Sequence, residues 1–238
     1  MTKKIHHIPK VLYSWRISDT STAGSTAANP YVKEAQRQAI EDSLKMKNEH
    51  GAKVLEGLSE VYWLVRHDIT GLPLVSIIIP TKNQTAVLKR CLSSVFKKTA
   101  YSNYEIILVD TGSNETRLLK WYKKLTRQNK NIRILNWHER PFSYARSCNY
   151  GAAESAGKYL LFLNNDTEVL TPNWIELMLS DAQRPDIGAV GCKLYYPGRR
   201  RLIQHAGIGI GLGGIAAPLL SQVPDNRMPP MQHLYANT

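Results

Sequence analysis

The chain has 238 residues, 43% of them hydrophobic, and a formal net charge of +12. That length and apolar content suit one large domain, or one domain with an appendage, and exclude a disordered tail. No uninterrupted apolar run approaches the roughly 20 residues of a membrane-spanning helix, and the N-terminal MTKKIHHIPK is basic without the apolar stretch of a secretory signal. Cys91, Cys148 and Cys192 stand far apart with no CxxC pair; they read as reduced core residues, which favours a cytoplasmic location. The charge admits nucleic acid, an anionic membrane surface or a phosphate-bearing substrate as partner, or simply a solvated basic face. Lys97, Lys98, Lys120, Lys123, Lys124 and Arg127 fall on the outer faces of expected helices, and Arg199, Arg200 and Arg201 follow YYPG in a turn. None is interleaved with aromatics as single-strand binding prefers, and no nucleic-acid recognition motif is present.

In chain order, Ser18 to Pro30 is small, polar and turn-prone, a linker. A helix follows from Tyr31 to about Asn48, then a short strand in VYWLVRH and a hinge at GLP. From Leu74 the pattern alternates. LVSIIIP is a β-branched run of parallel-strand type, and Val87, Leu88, Cys91, Leu92, Val95 and Phe96 recur at helical spacing. YEIILVD is a second buried strand. Leu118, Trp121, Tyr122 and Leu125 mark a helix, IRILNW a third strand, and SYARSCNYGAAES a helix that Gly151 weakens. KYLLFLN is the fourth strand, Thr171 and Pro172 open a further helix as capping hydroxyl and first-turn proline, and IGAVGCKLYY is the fifth strand. This order predicts an α/β fold with a mostly parallel central sheet and helices on both faces.

Ligands of open α/β sheets bind beyond the carboxyl ends of the strands. Three strands here end in oxygen-rich residues: Pro80-Thr81-Lys82-Asn83, Asp110-Thr111-Gly112-Ser113 and Asn164-Asn165-Asp166. Topology puts all three on one rim, which points to a nucleotide site. A carboxylate such as Asp110 can accept from a base imide or a ribose hydroxyl. Asp166 is a hard oxygen ligand able to hold Mg2+ or Mn2+ together with diphosphate oxygens and water. Singly, DTGS is also ordinary turn chemistry and NNDTE ordinary helix capping; the convergence of three is what favours function.

PLVSIIIPTKNQTAVLKRCLSSV, YEIILVDTGSNE and SYARSCNYGAAESAGKYLLFLNNDTEVLTPNWIELM together resemble the inverting family-2 glycosyltransferases of the GT-A fold. The likeness runs from Pro73 to about Gly214. It implies that NND occupies the place of the family's DxD metal motif, with Asp166 holding metal and diphosphate. Thr81 and Asp110 would contact the nucleoside and Asn165 the ribose, Pro80, Thr111 and Asn164 would complete the nucleotide-sugar site, and Arg146 would lie near the diphosphate. Two positions depart from the pattern. Thr111 replaces an acidic or amide residue, which leaves the base open, and Asn164 replaces the first aspartate, a weaker ligand. His205 would line the donor site or be a satisfied half-buried histidine. Gly209, Gly211 and Gly214 match GxGxxG in spacing, yet no helix opens after them, so the dinucleotide reading fails.

Inversion at a sugar carbon needs a general base. After Leu170 the acids are Glu176, Asp181, Asp186 and Asp225, and none sits where the family's paired acids do. The resemblance therefore implies a donor-binding portion without its base-bearing segment. HHIPKVLYSWRISDTSTA is similar to the close of a preceding transferase domain, which gives residues 1–29 as a domain tail and linker, 30–72 as a linker helix and short strand, and 73–238 as the GT-A domain. The expected activity is transfer from a UDP-, dTDP- or GDP-linked sugar to a saccharide or lipid-linked acceptor in polysaccharide or O-antigen biosynthesis, with Mn2+ or Mg2+ as cofactor. A second transferase domain is a possible partner, and the inner membrane face a possible place of action. The alternative is a non-catalytic module that binds nucleotide or a partner domain.

Overall fold

The computed structural model describes residues 6, 8–14, 31–57, 63–198, 201–211 and 215–225. The linker expected at Ser18 to Pro30 lies outside them. The chain divides into two compact units, one spanning Ile69–Gly191 and one made of the segments that flank it.

In the flanking unit, helix α1 (Tyr31–Met46) buries none of its residues. Arg37 pairs with both Glu34 and Glu41, one turn to either side, which supports a solvated helix. Asn48 enters the left-handed region (φ 58°), and the Glu49 N–H bonds the Leu44 carbonyl at 2.9 Å, so the helix stops two residues before the expected end. Strands β1 (Ala52–Glu56) and β2 (Trp63–His67) pair antiparallel. The first of these has no clear sequence signal, since its burial alternates poorly.

The central unit is a sheet of four parallel strands in the order β5-β4-β3-β6. They are β3 (Val75–Thr81), β4 (Tyr104–Asp110), β5 (Ile132–Asn136) and β6 (Tyr159–Phe162). All seven residues of β3 are buried, as an inner strand covered on both faces requires. Successive residues point to opposite faces. Ile77, Ile79, Ile106 and Leu108 pack under helices α2 (Thr85–Lys98), α3 (Thr116–Gln128) and α5 (Trp174–Ala182). Ile78, Ile107 and Val109 face α4 (Tyr144–Ala153) on the other side. The expected α/β class with helices on both faces is therefore met. Gly151, which weakens the helical pattern in sequence, is where α4 meets the sheet: a Cβ there would stand 2.7 Å from Ile78 Cγ2 and 2.8 Å from Val109 Cγ2.

Glu105, near the start of β4, ties this sheet together. Its Oε1 accepts from Ser76 Oγ and from the Ala156 N–H, each at 2.7 Å, and its Oε2 lies 3.3 Å from Arg133. Burial alone would raise this carboxyl, but the Ala156 and Ser76 hydrogen bonds and the Arg133 charge outweigh it and hold the group below the usual range. A depressed folded pKa stabilises the protein fully above the unfolded value of roughly 4.3, and that contribution fades as pH falls through the folded pKa. Glu105→Gln should thus cost about 1–2 kcal/mol at pH 7. In denaturant melts from pH 7 to pH 3, the gap to the parent chain should narrow below about pH 4.3.

Two expected elements differ. Helix α5 begins at Trp174, not at Pro172, because the Pro172 carbonyl turns aside to accept the Ala100 N–H at 2.9 Å. The fifth strand does not join the sheet: within residues 187–196 only β7 (Leu194–Tyr195) is a strand, paired antiparallel with β8 (Ile203–His205) in the flanking unit. Gly188 and Gly191 interrupt the run, and glycine weakens a strand. Strands β9 (Ile208–Ile210) and β10 (Ala216–Pro218) form a further antiparallel pair.

Candidate functional site

The carboxyl ends of β3, β4 and β6 meet on one rim of the central unit. Thr81 is level with Asp110 in the ladder, and the chain leaving β6 turns back so that Asn165 Nδ2 donates to Thr81 Oγ1 at 3.1 Å. Pro80 is tolerated in this inner strand for a local reason. Bonding alternates sides along β3, and the side Pro80 would serve faces β6, whose pairing ends at Ile78 and Phe162.

Thr81, Asp110 and Thr111 are each 3% exposed and form the floor. The Thr111 N–H and hydroxyl both donate to the Thr81 carbonyl, at 2.9 and 3.1 Å. Asp110 Oδ1 accepts from the Gly112 and Ser113 N–H groups at 2.9 and 2.7 Å, the turn role that its sequence also allowed. Asp110 Oδ2 is buried and has no hydrogen-bond partner among the described residues. The buried Tyr122 phenol beside it has its pKa raised, first by burial and then by the Asp110 charge.

Two loops above this floor clamp one another. Asn83 and Gln84 both take left-handed backbone (φ 54°), strained for side chains of this kind. The Asn83 N–H donates to Ser113 Oγ at 2.7 Å, while its Oδ1 accepts from the N–H groups of Asn114 and Glu115. Glu115 in turn accepts from the Gln84 N–H and the Thr85 hydroxyl, at 2.9 and 2.6 Å; the Thr85 hydroxyl bond is the largest of the causes that lower its pKa. Asn114, Glu115 and Arg140 were not singled out from sequence. Arg140, between β5 and α4, reaches the Thr111 carbonyl at 3.3 Å and lies 2.7 Å from where a Cβ on Gly112 would stand. Gly112 has φ +102° as well, so the turn demands glycine twice over. An arginine beside a proline between a strand and a helix was the signal available.

On the other side of the rim, Ser143 caps α4 by accepting the Arg146 N–H at 3.3 Å. Arg146 stands exposed in the first turn, its guanidinium paired with Glu139. Tyr144 donates its hydroxyl to Asn164 Oδ1 at 3.1 Å; burial and the neighbouring Cys148 push the phenol up to about 12, so it remains a donor. Asp166 follows, exposed. Thr81, Asp110, Thr111 and Asn165 are thus joined by direct bonds or adjacency. Asn164 and Asp166 stand on the same turn as Asn165, while Arg146 belongs to the α4 end.

Among the described residues no group of three or more His, Cys, Asp or Glu gathers. The donor set at the rim is one carboxylate with amide and hydroxyl neighbours. That set fits a hard cation which keeps waters and takes its other oxygens from a diphosphate, as Mg2+ and Mn2+ do. It does not fit an all-protein zinc cage.

The other candidates fall outside this rim. In the flanking unit, the His205 Nδ1 accepts from the Gly207 N–H at 3.3 Å. Asp225 holds Lys193 at 2.9 Å, Tyr195 at 2.8 Å and Arg201 at 3.5 Å, which is structural pairing. Gly209 and Gly211 belong to the β9–β10 hairpin and its turn, and Gly214 lies outside the described residues. None of Cys91, Cys148 and Cys192 forms a disulfide. Burial pushes Cys91 up to about 11, as suits a core thiol and not a nucleophile.

The sequence model of the family described as "Glycosyl transferase family 2" matches residues 76–226. The chain is 42% identical over 214 residues, 90% of its length, to the protein y4gI of Sinorhizobium fredii. It is 33% identical over 224 residues, 94% of its length, to "O-antigen biosynthesis protein RfbC" of Myxococcus xanthus. It spans only 23% and 17% of those two proteins. Among solved structures, a mannosyltransferase of Pyrobaculum calidifontis in complex with GDP-Man and Mn2+ aligns over 71% of this chain and 46% of its own, at 16% identity and a TM-score of 0.49. The family model covers well over half of the chain and the whole of the rim, and the chain belongs to glycosyl transferase family 2.

Proposed function

We propose that this chain is the donor-binding portion of a metal-dependent, inverting glycosyltransferase that acts in polysaccharide or O-antigen assembly. The observation that carries the reading is the Asn165–Thr81 bond, which closes the turn bearing Asp166 onto the floor formed by Asp110 and Thr111. Residues 73–238 bind the nucleotide-sugar, and residues 1–72 are the tail and linker of a preceding domain. Family membership supports the transfer chemistry, and the name of the Myxococcus relative supports the pathway.

In this reading the Asp110 side supports the nucleoside, the exposed Asn164 amide meets the anionic donor, and Asp166 holds Mn2+ or Mg2+ with the diphosphate. When bound, the cation would offset charge on the departing nucleoside diphosphate. Arg146 needs only to leave Glu139 to reach an anion, since both side chains are exposed. The acceptor is a saccharide or lipid-linked saccharide, and a second transferase domain is a partner.

Calorimetric titration with UDP, dTDP and GDP, each with and without Mn2+, tests the reading. Metal-dependent binding of one of them supports it and names the base. Binding of none sinks it in favour of a non-catalytic module. Tyr144→Phe probes the Asn164 orientation: it should weaken the bound nucleoside diphosphate about 5-fold, the worth of one neutral hydrogen bond. The thermal midpoint should hold, because Tyr144 is exposed.

A further inference from the structure

Helices α2 and α3 carry nine lysines and arginines and no acidic residue. They lie on the same face of the sheet and share its core. They also touch, with Lys89 Nζ 5.1 Å from the centre of the Trp121 ring. Lys97, Lys98, Lys120, Lys123, Lys124 and Arg127 are all exposed. Leu119, exposed to 43%, stands among them on α3. A shallow hollow of about 460 Å³ runs along α2 between Lys89, Arg90, Lys97 and Lys98. Glu168 also lines it, 3.8 Å from Arg90.

A purely solvated helix face mixes signs, as α1 does with its Arg37 pairs. Like charges at this density repel one another and weaken the fold unless something anionic lies against them. We propose that the α2–α3 face docks onto an anionic lipid bilayer. Three features favour a bilayer over a nucleic acid. The charge is spread along two side-by-side helices and is not confined to the hollow along α2. An exposed leucine stands in its midst, able to enter the headgroup layer. The aromatic residues of these helices, Phe96, Trp121 and Tyr122, pack against the core, which leaves none free to stack on bases. Both helices begin at the rim and run away from it, since each follows a parallel strand. Lying flat on this face, the membrane would border the donor rim without covering it. Among the described residues no helix is long and apolar enough to cross a membrane, so the contact is at the surface.

The test is flotation of the chain with vesicles of phosphatidylcholine alone and of phosphatidylcholine mixed with phosphatidylglycerol. Each basic side chain near an anionic leaflet contributes roughly 5-fold to the partition coefficient. Lys120→Glu/Lys124→Glu should therefore lose at least about 25-fold in binding to the mixed vesicles, whereas Lys47→Glu/Lys158→Glu, with the same change in charge, should lose far less. Lys120→Gln/Lys124→Gln repeats the measurement without reversed charge should the glutamate pair disturb folding. The parent's binding should fall with added salt as the screening length shrinks to about 8 Å near physiological strength. Equal losses in the two charge-reversed variants would overturn the proposal, as would binding to pure phosphatidylcholine or no binding to the mixed vesicles. Tighter binding to random DNA than to the mixed vesicles at the same salt would overturn it in favour of a soluble polyanion. The face does not depend on the donor reading. Nucleoside diphosphate titrations of Lys120→Glu/Lys124→Glu should match those of the parent, and a failure of the donor reading would leave the flotation result standing.

Discussion

Gly157→Ala should destabilise the chain by about 3 kcal/mol or more, lowering the thermal midpoint by roughly 6–12 °C. A Cβ at Gly157 would stand 2.4 Å from Ser76 Oγ and 2.6 Å from the Ser76 backbone nitrogen. The first atom could swing away, but the second is main chain in the innermost strand. The Leu74 carbonyl, at 3.0 Å, blocks the remaining direction. Any shift of residue 157 also breaks its N–H bond to Ser76 Oγ, 2.8 Å long, and with it the Glu105 network that joins β3 and β4 to the approach of β6. Circular dichroism melts of the variant beside the parent chain check this. A loss under about 1 kcal/mol would mean that β6 approaches β3 less closely than described here.

Asp110→Ala should act on stability and binding at once. One carboxylate oxygen holds two backbone N–H groups, and hydrogen bonds to a charged group contribute roughly 1.5–3 kcal/mol each, so the loss should be about 3 kcal/mol. The β4–α3 turn would slacken, and with it the Asn83 and Glu115 clamp that depends on Ser113 and Asn114. Nucleoside diphosphate binding should fall below detection. Asp110→Asn separates the two effects: it keeps an acceptor for both N–H groups but gives up the charge. Most of the stability should return, while binding stays weak because the carboxylate charge beneath the rim is lost. Full recovery of binding in Asp110→Asn would reduce Asp110 to a turn-former.

All four strands of the central sheet were legible in the sequence, the inner pair most plainly. LVSIIIP and YEIILVD are continuous β-branched runs, and they fold as the inner strands β3 and β4. IGAVGCKLYY looks similar by composition, but two glycines divide it and only Leu194–Tyr195 pairs. Local pattern also placed Pro172 in a helix, because a tertiary bond from Ala100 to its carbonyl is invisible to any window of neighbouring residues. Gly151 illustrates the reverse case: a cost in local propensity serves a close helix-to-sheet contact. At the rim, the strand-end positions of Thr81, Asp110 and Asn165 followed from topology alone. The partners that lock them did not. Arg140 reaches Thr111 from 29 residues away, and Tyr144 reaches Asn164 from 20 away. Such pairings are set by how α4 packs on the sheet.

If the rim of β3, β4 and β6 is a donor site organised around Asp166, the decisive comparison is binding of the preferred nucleoside diphosphate, with and without Mn2+, to the parent chain and to Asp166→Ala. Asp166 is exposed, so the thermal midpoint of the variant should match the parent's. Binding should be enhanced by Mn2+ in the parent, and Asp166→Ala should lose that enhancement. Equal, metal-independent binding in both chains, or Mn2+ enhancement that survives in the variant, would contradict it.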